Sequence, residues 1–169
     1  MSDGVPAEVA ALIERLASSD AEQRSEAAER LARAGEGAAA AAVPLVRACG
    51  DADERVREWA VAALEDLGPP SGDAVASLVK LVAAPDPLVA YWATTLLGRS
   101  GQDAANAVAA LAGCLDSQAE LSVRQRAAWA LGQIGPAARA ASEPLRRAAG
   151  QGDERLARLA TEALAAIGS

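Results

Sequence analysis

The sequence predicts an all-α solenoid of five two-helix repeats, about ten helices in all, on three observations. Gly35, Gly68, Gly101, Gly135 and Gly168 fall 33, 33, 34 and 33 residues apart. Gly68, Gly135 and Gly168 close the same run: an acidic residue, then Ala, Ala or Leu, Leu and an aliphatic residue; Gly35 and Gly101 close variants of it, with Arg30 and Ser100 at one position each. Apolar residues recur 12, 8, 5, 4 and 1 positions before the glycine, and at about 100° per residue these five share one stripe of a helix. Self-similarity at such a period marks stacked helical units. The repeats run approximately 1–35, 36–68, 69–101, 102–135 and 136–169, and 1–169 reads as a single domain.

Within each repeat a first amphipathic helix, helix A, precedes the glycine-closed helix B. Helix A is anchored by Val9, Leu12, Ile13 and Leu16 in the first repeat and by Val43, Leu45, Val46 and Cys49 in the second. The third uses Val75, Leu78, Val79 and Val82, and the fourth Val108, Leu111 and Leu115. Pro44 and Pro144 fall early in helix A, where a missing N–H costs little. Helix B shows its stripe most plainly in Val56–Leu67 and Val123–Ile134, and again from Leu156 to Ile167. The closing glycine is the expected left-handed C-cap, with Pro69 or Pro136 just beyond as a stop. Between the helices stands one acid per repeat, Asp20, Asp53, Asp86, Glu120 and Asp153, placed to cap helix B and favour its N-terminal dipole. Four residues later come Arg24, Arg57 and Arg124, spaced for an acid–Arg pair within the repeat or with its neighbour. Gln23, Arg30 and Arg146 occupy positions that are apolar in the middle repeats. Terminal repeats need polar outer faces, so the first and fifth repeats read as caps of a five-repeat domain.

Composition narrows the chemistry. Half the chain is hydrophobic, yet there is no Phe, and the aromatics are Trp59, Tyr91, Trp92 and Trp129. The core is therefore aliphatic. There is no His, which removes imidazole metal sites, catalytic triads and His acid–base work. Phosphate-binding glycine motifs are absent, because these glycines end helices rather than open them. No catalytic residue, cofactor site or metal site is expected. The net charge of −7 disfavours generic polyanion binding. Cys49 and Cys114 sit two repeats apart, roughly 20 Å for stacked helices, beyond the roughly 7 Å that a disulfide spans. Met1 to Pro6 shows no basic region followed by an apolar run, and no long uncharged apolar stretch is present. The expectation is a cytoplasmic protein without a membrane span. Arginine far outnumbers the single Lys80, a bias that with the alanine content points to a GC-rich bacterial genome.

Several short motifs carry a family resemblance: Pro44-Leu45 and Pro144-Leu145 in helix A, the Asp between helices, Val56-Arg57 and Val123-Arg124 opening helix B, and Ala-Leu-x-x-Leu/Ile-Gly closing it. With these the chain resembles HEAT repeats, in particular the short bacterial kind of phycobilisome-lyase-type repeat proteins. The resemblance covers essentially the whole chain. It implies a right-handed solenoid whose B helices line a concave face. Ala90 and Ala157 stand where the family has arginine, so an Arg ladder is interrupted. HEAT-like deoxyhypusine hydroxylases bind iron through His-Glu pairs, and without His this chain is not one of them.

All four aromatics lie on helices B, which the resemblance places along the groove. Trp59 and Trp92 hold the same register, nine before the closing glycine, about 90° from the centre of the buried stripe. Trp129 and Tyr91, six and ten before it, point away from that stripe. Exposed clustered aromatics mark interaction sites. Charge on the face is graded, from Glu58 and Glu65 in the second repeat to Arg126 in the fourth and Arg155 and Arg158 in the fifth. The expected function is a non-catalytic protein- or peptide-binding scaffold, with Trp59, Tyr91, Trp92 and Trp129 as anchors and Glu58, Glu65 and Arg126 setting direction. The resemblance offers a bilin-lyase-like or chromophore-chaperone role, with a tetrapyrrole in the groove, as an alternative. A nucleic-acid role like that of HEAT-like DNA glycosylases would use Trp59 and Asp66, but the acidic first repeats oppose it. End-to-end self-association through Leu156 and Leu159 is a further expectation.

Overall fold

A computed structural model describes residues 5–168; Met1 to Gly4, read above for a targeting signal, and Ser169 lie outside the described residues. The described chain is all-α, with five helix pairs: α1 (Ala7–Leu16) and α2 (Ala21–Ala34), α3 (Ala42–Ala48) and α4 (Glu54–Glu65), α5 (Val75–Leu81) and α6 (Pro87–Arg99), α7 (Val108–Leu115) and α8 (Leu121–Ile134), α9 (Ser142–Ala149) and α10 (Glu154–Ile167). No described helix is long and apolar enough to cross a membrane.

The capping acids start the B helices. Asp20 accepts from the backbone N–H of Glu22, Asp53 from Arg55 and Val56, Asp86 from Leu88 and Val89, and Asp153 from Leu156. Such caps are each worth about 1 kcal/mol. Glu120 departs from the expectation and makes no side-chain cap. Its extra methylene carries the carboxylate past the first N–H groups, so the Glu120 carbonyl alone receives the N–H groups of Val123 and Arg124.

The closing glycines also differ in detail from the expectation. All five have positive φ. Gly168 is left-handed (φ 76°, ψ 41°), but Gly35 (φ 53°, ψ −130°) and Gly135 (φ 70°, ψ −141°) take an extended mirror-image conformation. The chain then enters a 3-10 segment rather than helix A directly: Gly35–Ala41, Gly101–Ala107 and Gly135–Ala141. A 3-10 turn brings residues three apart onto one edge. The pairs Ala38 and Ala41, Ala104 and Ala107, and Ala138 and Ala141 are accordingly all fully buried. In the third repeat Pro69 and Pro70 follow the glycine, and the 3-10 turn shrinks to Gly72–Ala74.

The periodic stripe is the core. Val56, Ala60, Ala63, Leu64 and Leu67 are buried from the second repeat, and Val123, Ala127, Ala130, Leu131 and Ile134 from the fourth. Gln23, Arg30 and Arg146 are exposed. Cys49 and Cys114 are buried thiols, and burial pushes the Cys114 thiol up.

By internal packing the chain forms two compact units, Met1–Ala74 and Val75–Ser169. In the first, α2 packs on α4, with α1 and α3 behind them. In the second, α6, α8 and α10 stack in order, backed by α5, α7 and α9.

The arginine after the cap ties the connecting loops. In the first unit Arg24 donates two hydrogen bonds to Asp51, both 2.8 Å, and others to the carbonyls of Ser18 and Ser19. Asp51 also accepts from its own loop at the Asp53 N–H. In the second unit Arg124 donates to the Leu115 carbonyl and to Gln151, which holds the same register as Asp51. Arg57 reaches only the carbonyls of Asp51 and Ala52.

The Arg24 guanidinium holds the Asp51 carboxyl below the usual carboxylate range. A depressed folded-state pKa contributes stability that is complete above the unfolded value and is lost as pH falls through the folded one, here from about pH 4 downward. Arg24→Ala is therefore expected to lower the thermal midpoint at neutral pH and to remove part of the further loss on acidification. A thermal melt series from neutral pH to below about pH 3 checks this; a variant with unchanged midpoints would show that the clamp carries no stability.

Candidate binding site on helices α6, α8 and α10

The site begins with how closely the B helices approach. Gly98 on α6 and Gly132 on α8 both lie three residues before a closing glycine. A Cβ on Gly132 would stand 3.2 Å from the Ala163 Cα, so α10 comes up against the bare backbone of α8. A Cβ on Gly98 would overlap the Trp129 ring, so the indole of α8 lies on the bare backbone of α6. A helix-interior glycine costs roughly 1 kcal/mol relative to Ala. Here each glycine makes room for a neighbour.

Seated there, Trp129 forms one side of a cation cradle. The Arg126 guanidinium carbon lies 4.9 Å from the Trp129 ring centroid and 4.8 Å from that of Tyr91 on α6. Arg126 Nη2 also donates to the Tyr91 hydroxyl. Stacking of this kind is worth about 0.5–1 kcal/mol at exposed sites and more when desolvated. The cradle borders a cavity of about 220 Å³, lined also by Ser122 and Gln125 of α8 and by Arg155 and Leu159 of α10. Gln125 Nε2 donates to Asp153 Oδ1 at 2.9 Å, which ties α8 to the start of α10. The Leu156 N–H and then Gln125 hold the Asp153 carboxyl below the usual range. Among the described residues no carboxylate lines the cavity.

The structure brings together three of the sequence-predicted residues, Tyr91, Arg126 and Trp129, each half-buried. Trp92 is a correction: expected as a surface anchor, it is only 6% exposed. Tyr91 meets it edge-on at 5.7 Å between ring centroids, and the Arg99 guanidinium lies 5.8 Å above its ring. Positions 90° from the centre of a buried stripe face sideways along a stack, and neighbouring side chains cover them. Trp92 therefore touches the cradle from a buried position, through its edge-on contact with Tyr91. Trp59 is half-buried on α4, and Glu58 and Glu65 are exposed on the same helix of the first unit.

Sequence reasoning missed Gly98 and Gln125 as parts of the site. It also gave Leu159 to the outer flank of the last repeat rather than to the cavity. Signals existed: a glycine inside a helical stripe asks for a packing reason, and Leu159 holds the register of Arg126, nine before the closing glycine. Among the described residues no group of three or more His, Cys, Asp or Glu could hold a metal ion.

Comparison with known proteins agrees with this architecture. The model of the HEAT repeats matches residues 9–98, 45–130 and 75–165. The chain belongs to the HEAT-repeat family. No curated protein matches this HEAT-repeat chain in sequence. An engineered protein solved by the Northeast Structural Genomics Consortium is similar at 26% identity and a TM-score of 0.65, over 96% of this chain and 80% of that one. A designed armadillo repeat protein in complex with the peptide (KR)4 aligns at 22% identity and a TM-score of 0.67, over 96% and 82%. The complex of CpcE and CpcF of phycocyanin lyase from Nostoc sp. PCC7120 aligns at 24% identity and a TM-score of 0.68, over 98% of this chain and 66% of that one. The last two likenesses show the fold alone.

Gly98→Ala tests the seat of Trp129. The added methyl gains helix propensity of about 1 kcal/mol, while overpacking costs about 1–3 kcal/mol unless the ring moves. The expected result is a displaced ring in a folded protein. In a nitrogen–proton correlation spectrum the Trp129 indole N–H shifts while that of Trp59 stays; an unmoved Trp129 resonance would show that the ring does not rest on Gly98.

Proposed function

We propose that the protein is a non-catalytic scaffold that captures a protein or peptide segment along α6, α8 and α10. The observation that carries this reading is Arg126, held between the Tyr91 and Trp129 rings at the rim of a cavity that, among the described residues, no carboxylate lines. Aromatic and arginine side chains dominate the energetics of protein interfaces, and here they are fixed before any partner arrives. Trp92 backs the cradle. Trp59, Glu58 and Glu65, on α4 of the first unit, are proposed as further partner contacts suited to a basic segment. The neighbour solved with a bound peptide supports protein or peptide recognition as the mode for such a scaffold.

The tetrapyrrole alternative draws only on the phycocyanin-lyase neighbour. A cavity of about 220 Å³ falls below the roughly 300–1,000 Å³ of small-molecule sites. A nucleic-acid role lacks a track of cations in a chain of net charge −7.

Tyr91→Ala with Trp129→Ala tests the reading. Hot-spot truncations cost about 2 kcal/mol or more each, at least about thirtyfold in affinity. Wild type and the double variant, immobilised in parallel, are offered a lysate of the native host. Proteins retained by wild type should be lost by the variant while far-UV circular dichroism is unchanged. Equal retention on both would reject this face.

A further inference from the structure

We propose that the cavity between α8 and α10 is a receptor for one carboxylate side chain, an Asp or Glu of the bound segment, held jointly by Arg126 and Arg155. The residue beside that acid is aliphatic and packs on Leu159 and the Trp129 ring. The inference rests on the reading of α6, α8 and α10 as the binding face and adds the chemistry of what binds there.

Charge is the first support. Arg15, Arg24, Arg30, Arg33, Arg146, Arg147 and Arg158 all make ion pairs with Asp or Glu. Arg126 and Arg155 make none among the described residues, which they share with Arg47, Arg55, Arg124 and Arg139; what sets the two apart is that both line this cavity. Asp153 is the acid whose field reaches Arg155; its Oδ1 accepts from the Leu156 N–H and from Gln125, and its side chain is not part of the cavity lining. Two guanidinium groups thus line a small cavity whose lining, among the described residues, includes no carboxylate.

Preorganisation is the second. The Tyr91 and Trp129 rings lie 4.8 and 4.9 Å from the Arg126 guanidinium carbon, and its bond to the Tyr91 hydroxyl occupies a single N–H. The planar fork that remains matches a carboxylate in two parallel hydrogen bonds. Little side-chain freedom is left to lose on binding, and that loss is a main opposing term in association.

Size and surroundings choose the occupant. About 220 Å³ is side-chain scale, below the roughly 300 Å³ at which small-molecule sites begin. Leu159 and Trp129 supply apolar wall beside the two cations. A nucleic-acid strand would need further free cations along its path, but the neighbouring Arg124 is committed to Leu115 and Gln151, and Arg158 to Glu162.

The test selects a random dodecapeptide library, displayed on phage, against the purified full chain, Arg126→Gln/Arg155→Gln and Tyr91→Ala/Trp129→Ala. Peptides selected by wild type should be enriched in Asp or Glu beside Leu, Ile, Val or Met, and the double-arginine variant should lose that enrichment. A selected peptide, fluorescein-labelled, is then compared with its Glu→Gln counterpart by anisotropy. The amide should bind wild type about tenfold or more weakly, and the acidic peptide should shift the Trp129 indole resonance. If the arginine variant does not fold, the acid–amide comparison on wild type decides alone.

Selected peptides without acidic enrichment, equal binding of acid and amide, or displacement of the peptide by an oligo-dT strand at lower concentration would overturn the carboxylate receptor. Neutral peptides that need Tyr91 and Trp129 would overturn it while leaving the binding face standing. No selected peptides on wild type, or peptides that bind the aromatic variant equally, would remove the binding face and the receptor together.

Discussion

Each closing glycine makes a backbone reversal that other residues make only under strain, and the stack depends on it. Positive φ recurs at Gly35, Gly68, Gly101, Gly135 and Gly168, and no described non-glycine residue has it. At Gly35 and Gly135 the accompanying ψ is near −130° to −141°, a region essentially reserved for glycine. The reversal sends the chain into a 3-10 segment whose alanines three apart pack inward. The following helix A then starts seven residues after the glycine in each such repeat, at Ala42, Val108 and Ser142. In the second unit the B helices pack side by side, and Tyr91 of α6 meets Arg126 and Trp129 of α8, from the next repeat.

Small residues convert that register into close approach. Gly98 and Gly132 stand at one register position but serve different neighbours, an indole ring in one case and a helix backbone in the other. The same economy is visible in the alanines of the B-helix stripes, which are buried with almost no exposed surface. With so few aromatics the core is uniform, and the aromatics are left for other work. Only Trp92 of the four is buried, and it lies edge-on to a residue of the cradle.

The inter-repeat clamps show how one register position takes different chemistry. Arg24 finds a carboxylate at Asp51, and Arg124 finds an amide at Gln151. Arg57 has Ala84 at the corresponding place in the next repeat and keeps only the carbonyls of its own loop. The first pair is largely shielded from solvent, which by itself opposes ionisation, but the hydrogen bonds from Arg24 outweigh that and hold the acid in its charged form.

The repeat number, the helix pairs, the buried stripe and four of the five capping acids were legible in the sequence, because each depends on residues within a single repeat and the 33–34-residue period displays it five times. The 3-10 entries were not, since a run such as Ala38 to Ala41 suits an α-helix equally well until its neighbours demand that residues three apart share an edge. Trp92 and Arg126 share a register position, yet Trp92 is buried and Arg126 only half-buried. Periodicity gives a side chain's direction around its own helix, but burial is decided by what the adjacent helix presents. For the same reason Tyr91, Arg126 and Trp129 could be named from the sequence, whereas their closure around one guanidinium awaited tertiary structure: it requires the bare backbone of Gly98 opposite the indole, a contact between residues 31 positions apart.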